Sequence, residues 1–335
     1  MTEAPKSFPA ATPANLSLGD APTPRRPPIA VLLPCYNEAK AIHEVVTSFR
    51  ASLPGAIVYV FDNNSRDGTA DIARSAGAVV RREARQGKGH VVRRMFSDIE
   101  ADVYVLADGD GTYDAAAAPR LVDLLIDEQL DFVNAARLSS SPDAYRAGHR
   151  LGNWMLTSLV QFIFGRQFDD MLSGYKVLSR RFVKSFPAMS HGFEIETELA
   201  VHALELRIPW AEVGAAYKER PKGSISKLRT YRDGTRILLL IARLVKDERP
   251  LQFFGLVGLA LMALAIVLSG PLVVTYSETG LVPRFPTAIL VVGLVVVGVL
   301  SMMSGLILEM TTRTRREMKR LFYLSQPNPR APDGA

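Results

Sequence analysis

Short apolar runs recur through the first part of the chain. Residues 29–33, 57–61 and 103–107 are continuous apolar runs, the pattern of strands that are covered on both faces of a parallel sheet. Residues 78–80 and 131–137 predict two further strands. These five segments predict the strands of a buried sheet.

Segments of helical periodicity separate the predicted strands. A helix is predicted to begin near Asn37, because the apolar residues after it recur at helical spacing, and another is predicted from Gly87 to about Ser97. The apolar positions of the first helix are Ile42, Val45, Val46 and Phe49. Strands that alternate with helices predict an α/β fold with a mostly parallel sheet and helices on both faces.

The last part of the chain has a different pattern. Residues 251–276 and 285–308 contain no charged side chain, and each stretch exceeds the roughly 20 residues that a helix needs to cross a bilayer. The nearby basic residues lie mostly before the first stretch and after the second, namely Arg236, Arg243, Lys246, Arg249, Arg313, Arg315, Arg316, Lys319 and Arg320. This distribution predicts a transmembrane hairpin with both flanks in the cytoplasm. The alternative is two helices buried in a large soluble core.

Composition narrows the class of protein. The formal net charge of +6 suits contact with anionic lipid head groups or anionic substrates, and the sequence lacks the basic and aromatic pattern of a nucleic-acid-binding protein. The one cysteine, Cys35, can form no internal disulfide, in keeping with a reducing compartment. Residues 1–28 are rich in Pro, Ala, Thr and Ser without the apolar core of a signal peptide, which predicts a disordered tail.

Two carboxylates follow one of the predicted strands. Asp108 and Asp110 come directly after the run 103–107, at the carboxyl end of a strand, where open α/β sheets bind ligands. Carboxylates this close repel each other unless a cation lies beside them, and hard oxygen ligands suit Mg²⁺ or Mn²⁺ together with substrate phosphates. Gly109 and Gly111 let the backbone bend there. The alternative is an acidic, glycine-rich surface turn.

Four motifs in order carry a resemblance to a known family. They are residues 34–38 (PCYNE), 62–69 (DNNSRDGT), 87–89 (GKG) and 108–110 (DGD). In order and spacing they resemble the inverting family 2 glycosyltransferases with the GT-A fold, and within them the polyprenyl-phosphate glycosyltransferases, which include the dolichyl-phosphate mannosyl- and glucosyltransferases. The resemblance covers about residues 29–230. No Walker lysine motif and no strand-linked dinucleotide fingerprint competes with it.

The resemblance implies a donor site for a nucleotide-sugar, UDP-linked by preference and GDP-linked as the alternative. It implies that the base and ribose are held by Pro34, Tyr36, Glu38 and Asp62, that Lys88 faces the base or phosphates, and that Asp108 and Asp110 bind the metal. Read without the resemblance, Glu38 is a helix-capping residue and Lys88 an exposed helix-start lysine. Many relatives carry Gln where this chain has Thr112, so a water is expected to take the place of a third protein ligand.

Basic residues in the second half resemble the family's acceptor side. Arg137 follows the predicted strand 131–137, and Arg220, Lys222 and Lys227 lie in a basic loop. Guanidinium and ammonium groups suit phosphate oxygens, so these four residues are expected to hold the donor diphosphate and the phosphate of a polyprenyl phosphate acceptor. The alternative is that they only neutralise the lipid surface.

The acceptor decides whether the reaction needs a base. A phosphate monoester is largely dianionic at neutral pH, whereas a hydroxyl acceptor must lose a proton to a carboxylate or histidine. We expect Asp110, Arg137, Arg220 and Asp170 to carry the catalysis. The candidate bases for a hydroxyl acceptor are Asp169, Asp170, Glu194, Glu196 and Glu198. A third hypothesis is a membrane-anchored binding protein that keeps the fold without the chemistry.

The sequence thus predicts a membrane-bound enzyme built from successive segments. These are a tail (1–28), a GT-A domain (29–225), an amphipathic interface helix (226–249), a transmembrane hairpin (250–309) and a basic cytoplasmic tail (310–335). The expected location is the inner membrane, with the catalytic domain in the cytoplasm. The sugar and the oligomeric state, including a homo-oligomer, stay open.

Overall fold

A computed structural model describes residues 27–138, 168–190, 192, 194–218, 246–247 and 249–327 of the chain. Several predictions fall elsewhere. Arg220, Lys222 and Lys227, the predicted tail except for its last two residues, and most of the predicted interface helix lie outside the described residues.

The first four strands form the parallel half of a seven-stranded sheet. They are β1 (Ile29–Cys35), β2 (Ile57–Asp62), β3 (Val79–Arg82) and β4 (Val103–Leu106), and they alternate with α1 (Ile42–Ser52), α2 (Thr69–Ser75) and α3 (Lys88–Asp98). The predicted strands and the apolar face of α1 are confirmed. The predicted start of α1 near Asn37 is wrong by five residues, because Asn37 adopts a left-handed backbone (φ 55°) and its N–H binds Ser65 instead of starting a helix.

The second half completes the sheet and makes it mixed. It consists of α4 (Ala118–Asp127), β5 (Phe132–Leu138), β6 (Lys176–Ser179), α5 (Arg180–Ser185), α6 (Ile195–Leu206) and β7 (Trp210–Ala216). The strand order is β3-β2-β1-β4-β6-β5-β7, in which β6 runs antiparallel to both of its neighbours and the other pairs are parallel. The predicted mostly parallel α/β sheet is therefore confirmed, with one reversed strand.

Apolar layers cover both faces of the sheet. Leu32 of β1 belongs to the layer built with α3, α5 and α6, whereas its neighbours Val31 and Leu33 belong to the layer built with α1 and α4. This alternation follows from the two-residue period of a strand. Because both faces are covered, the carboxyl ends of the parallel strands are left to form the site.

Two long apolar helices follow the seven-stranded sheet. The helices α7 (Pro250–Thr279) and α8 (Phe285–Ser325) are long and apolar enough to cross a membrane. They pack closely where Gly258 faces Gly298: a Cβ added at Gly258 would lie 2.7 Å from the carbonyl oxygen of Gly298.

The helix α8 continues beyond the predicted span 285–308 and into the predicted basic tail. Its later residues pack against α5 and α6, where Lys319 forms a 2.6 Å ion pair with Glu205, whose side chain is 1% exposed. An ion pair between Arg313 and Glu317 bridges successive turns of the helix. The basic residues up to Ser325 thus belong to a helix that joins the apolar pair to α5 and α6 beside the sheet.

Candidate active site

The loops after β1, β2 and β4 meet at one edge of the sheet. In the parallel register Cys35 lies opposite Asp62, so the two strands end together, and β4 pairs with β1 on its other side. This placement brings the candidate residues of these loops to one edge, as the order of motifs predicts. They are Pro34, Tyr36, Glu38, Asp62, Asp108 and Asp110.

Hydrogen bonds lock the loop after β1 to the loop after β2. The backbone N–H of Asn37 donates to Ser65 Oγ (2.8 Å), and the Asn37 side-chain oxygen accepts from the N–H of Arg66 (2.8 Å). The carboxylate of Asp67 accepts from the N–H of Ala39 (3.0 Å). The two predicted nucleotide-binding loops therefore form one rigid unit.

A buried amide extends this unit to the third loop. Asn63 donates from Nδ2 to the carbonyls of Glu83 (2.9 Å) and Arg85 (2.7 Å), and its Oδ1 accepts from the N–H of Gly87 (2.8 Å). Its neighbour Asp62 is buried and accepts from the N–H of Ser65 at 3.3 Å. Sequence reasoning did not assign a role to Asn63, and its position after a strand is the only signal that could have suggested one.

The carboxylate of Asp110 is oriented by Thr112. Asp110 is buried, and its Oδ1 accepts from the hydroxyl (2.6 Å) and the backbone N–H (3.1 Å) of Thr112. Thr112 itself is fully buried. The residue that departs from the family pattern therefore fixes the position of the second acid.

The carboxylate of Asp108 faces Gly174. A Cβ added at Gly174 would lie 2.5 Å from Asp108 Oδ2, so only glycine leaves room beside this oxygen. The N–H of Gly174 donates to the hydroxyl of the buried Tyr113 (2.7 Å), which holds the two segments together. The Asp108 side chain keeps 28% of its surface exposed. Asp108 is thus held at the edge of the site, where a ligand can reach its carboxylate.

The acid pair fits a divalent cation of the Mg²⁺ or Mn²⁺ type. Carboxylate oxygens are the hard ligands that these ions prefer, and Gly174 keeps the space beside Asp108 open. Within the described residues no cluster of three or more His, Cys, Asp or Glu side chains is arranged to hold a metal. Two carboxylates completed by substrate phosphates and water match the usual binding of Mg²⁺.

Lys88, the first residue of α3, forms ion pairs with both Asp108 and Glu196. Its side chain is 10% exposed, and that of Glu196 is 7% exposed. Burial alone would lower the pKa of Lys88, but the two carboxylates outweigh it and raise the pKa above its ordinary value. The expectation that Lys88 faces the base or phosphates stays a prediction; in the structure its ammonium group lies against Asp108.

Arg137 and Asp170 are brought together, but they bind each other. Arg137 donates from Nε and Nη2 to the two carboxylate oxygens of Asp170, each at 2.7 Å, and from its backbone N–H at 3.1 Å. Burial raises the pKa of Asp170, but the Arg137 guanidinium outweighs it and holds the pKa below its usual value. The candidate acid and the candidate phosphate-binding arginine therefore form a fork-shaped pair.

A polar network behind this pair was missed by sequence reasoning. Glu212 accepts from the backbone N–H of Asp169 (2.7 Å) and from Asn134 Nδ2 (2.6 Å). Asn134 Oδ1 accepts from the ammonium of Lys176 at 2.6 Å, and burial lowers the pKa of Lys176 to about 8. The network fixes the turn that carries Asp170. The side chains of the network lie on three different strands, so no local sequence motif indicates it.

The remaining candidate bases have different surroundings. Glu198 accepts from the backbone N–H groups of Met189 and Ser190, both at 2.8 Å, so it anchors the loop before α6. Glu194 is exposed at the start of that helix. This arrangement gives Glu198 a structural role in the loop before α6.

Comparison with known proteins gives the family. Residues 30–186 match the model of Glycosyl transferase family 2. Glycosyltransferase AglJ of Haloferax volcanii is 36% identical over 304 residues, which span 90% of this chain and 98% of that protein. The chain belongs to glycosyltransferase family 2. A dolichyl-phosphate hexose transferase of the same organism is 27% identical over 221 residues, 66% of this glycosyltransferase and 95% of that protein.

Solved structures confirm the fold of this glycosyltransferase. The crystal structure of glucosyl-3-phosphoglycerate synthase from Mycobacterium tuberculosis superimposes with a TM-score of 0.53 at 23% identity, covering 66% of this chain and 80% of that one. A further structure of that synthase holds Mn²⁺, UDP-glucose and phosphoglyceric acid. The likeness establishes the GT-A fold predicted from the motifs.

Proposed function

We propose that this glycosyltransferase transfers one hexose, with inversion, from a nucleotide-sugar to the phosphate of a polyprenol. The observation that carries the proposal is the ion pair that Asp170, the candidate acid on the acceptor side, forms with Arg137. Arg137 occupies both of its carboxylate oxygens, and such a carboxylate is poorly placed to accept a proton from a hydroxyl. An acceptor that needs no base suits this site best.

The reaction then requires alignment and charge neutralisation. An oxygen of the acceptor phosphate attacks the anomeric carbon, the bond from that carbon to the donor diphosphate breaks, and the nucleoside diphosphate leaves without any proton transfer. Asp108 and Asp110 would hold Mg²⁺ or Mn²⁺, which supplies positive charge to the leaving diphosphate when bound. Thr112 orients the carboxylate of Asp110, and Gly174 leaves room for that of Asp108.

The nucleoside is assigned to the locked loops after β1 and β2. Pro34, Tyr36, Glu38 and Asp62 would contact the base and ribose, since carboxylates accept hydrogen bonds from base N–H and ribose hydroxyl groups. A UDP-sugar is the first donor to test, because a solved protein of the same fold binds UDP-glucose with Mn²⁺. A GDP-sugar is the second.

The acceptor assignment draws on the relatives and on charge. The relative named dolichyl-phosphate hexose transferase supports a lipid phosphate. Arg220, Lys222 and Lys227, from the undescribed part of the chain, would supply most of the cations for it, and Arg137 would contact the phosphate from within its pair with Asp170. The helices α7 and α8 would cross the inner membrane as a hairpin with both ends cytoplasmic, which places the catalytic domain beside its lipid substrate.

A lipid-labelling assay tests the proposal. Detergent-solubilised enzyme is incubated with Mn²⁺, undecaprenyl phosphate and a panel of radiolabelled UDP- and GDP-sugars, and the lipid is then extracted. We expect label in a lipid that mild acid cleaves, and none with the Asp110→Asn variant. Saturable nucleotide-sugar binding without any labelled lipid overturns the phosphate acceptor, and full turnover by Asp110→Asn overturns the metal assignment.

A second candidate is transfer to a sugar or lipid hydroxyl, with Asp170 as the base. The lowered pKa keeps Asp170 deprotonated, as a general base must be, but it also makes Asp170 a weaker base, so this candidate ranks second. In this case Asp170→Asn abolishes turnover, whereas Arg137→Lys retains much of it. For a phosphate acceptor, Asp170→Asn and Arg137→Ala are each expected to lower turnover by a similar factor, and the double variant by little more, because the pair acts as a unit.

A further inference from the structure

The ammonium group of Lys88 joins the proposed metal site to Glu196, a buried acid that the proposed reaction does not use. Lys88 contacts Asp108 on one side and Glu196 of α6 on the other. Glu196 is 5% exposed, and its Oε2 has no hydrogen-bond partner in the described part of the chain. Two carboxylates therefore share one ammonium ion, which is largely buried together with Glu196, while Asp108 stays partly exposed.

The arrangement sets up a competition for Asp108. A cation on Asp108 neutralises the charge that would attract a divalent ion, and charges a few ångströms apart interact strongly where water is excluded. Glu196 offers Lys88 a second partner, so Asp108 holds only part of the lysine's charge. Without Glu196, Lys88 would pair with Asp108 alone.

We propose that Lys88 and Glu196 are positioning residues that set the affinity of the acid pair for a divalent cation. Lys88 competes for Asp108 and weakens cation binding, whereas Glu196 draws Lys88 away and restores it. The inference rests on the proposed function in one respect, the assignment of the cation to Asp108 and Asp110. It predicts opposite signs for the two residues, whereas a purely structural pair would loosen the site in the same direction from either side.

Mn²⁺ binding to the purified full chain in detergent, without nucleotide, tests the signs. Electron paramagnetic resonance gives the dissociation constant for each variant at one fixed pH. We expect Lys88→Met to bind Mn²⁺ about tenfold more tightly than the wild type, and Glu196→Gln about tenfold more weakly, the scale of one unit charge removed nearby. Lys184→Met is the matched control, since Lys184 is a 17% exposed lysine whose ammonium pairs with Glu100, outside the acid pair.

A double variant covers the case in which Lys88→Met leaves Glu196 as an unpaired buried charge and does not fold. Lys88→Met/Glu196→Gln removes both charges and is expected to bind Mn²⁺ more tightly than Glu196→Gln alone. The inference is overturned if removing Lys88 weakens binding in both backgrounds while the thermal midpoint is unchanged. If Asp110→Asn binds Mn²⁺ like the wild type, the proposed metal site itself is wrong, and this inference falls with it.

Discussion

The phenol hydroxyl of Tyr323 in α8 donates a 2.6 Å hydrogen bond to the carboxylate of Asp131, directly before the strand that ends at the active site. Asp131 is buried and also accepts from Ser179 Oγ and from the Arg181 guanidinium at 2.6–2.7 Å. The same guanidinium lies 4.9 Å from the centre of the Tyr323 ring. One carboxylate thus ties the apolar helices to the central sheet.

Tyr323→Phe is expected to lower the free energy of unfolding by about 1–2 kcal/mol, because it removes one hydrogen bond to a buried carboxylate and keeps the ring over Arg181. The measurement is thermal unfolding of the detergent-solubilised chain. Tyr276→Phe, at a tyrosine that is 58% exposed in α7, is the matched control and should leave the midpoint unchanged. Equal midpoints for Tyr323→Phe and the wild type would show that the contact does not stabilise the fold.

The sequence predicts the elements that a single continuous stretch of residues is enough to specify. The strands β1, β2 and β4 were predictable, because each is a continuous apolar run bounded by turn residues. The strand β6 was not, since it has four residues, begins with Lys176 and pairs with β4 and β5, which lie far from it in sequence. Nor did composition reveal that α8 runs on to Ser325, because its basic residues are stabilised by acids elsewhere in the chain, such as Glu205.

Some residues of the candidate site could likewise be predicted from neighbouring positions in the sequence, and others could not. Asp108 and Asp110 stand together in sequence, so their chemistry was visible before any fold was known. The sequence did not single out Glu196 among several candidate acids, because its partner Lys88 lies far before it in the chain. The sequence showed Thr112 only as a residue that stands where many relatives have a possible metal ligand. Its hydroxyl hydrogen bond to Asp110 depends on a turn geometry that the residue types do not specify.

Thr112→Val tests whether that bond orients the second acid. Valine keeps the volume and removes the hydroxyl, so Asp110 loses its 2.6 Å donor while the backbone N–H stays. We expect turnover to fall about 10- to 100-fold, the usual effect of removing a group that orients a ligand. Thr112→Ser retains the hydroxyl and should recover most of the loss. Wild-type turnover by Thr112→Val would contradict the assignment.

Gly174→Ala tests the space beside Asp108. The new methyl group would come within 2.5 Å of Oδ2, so the carboxylate must move. A shift of this kind at a reacting centre is expected to lower turnover by about 100-fold. Gly293→Ala is the matched control, because a Cβ there meets no atom within 4 Å. The two variants should show similar thermal midpoints, and activity retained by Gly174→Ala would mean that Asp108 tolerates displacement.

We expect His202 to make the stability of the fold depend on pH. It is buried between Phe182 and Phe186, and its Nε2 lies 3.2 Å from Ser185 Oγ. Burial, aided by the charge of Lys319, lowers the pKa of His202 to about 3. The unfolded chain, with a histidine pKa near 6.5, therefore binds more protons between these values, and stability is full above pH 6.5 and is lost as the pH falls.

Between pH 7.5 and pH 5 this residue should cost the wild type about 2 kcal/mol of unfolding free energy. His202→Leu lacks the titrating group, and Ser185 keeps its hydrogen bond to the carbonyl of Phe182. The difference in stability between variant and wild type should therefore move by that amount in the variant's favour on acidification. Unfolding of both proteins in detergent at the two pH values measures it, with His43→Leu, at an exposed histidine, as the control. Parallel pH curves for wild type and His202→Leu would mean that His202 has the same pKa in the folded and the unfolded chain.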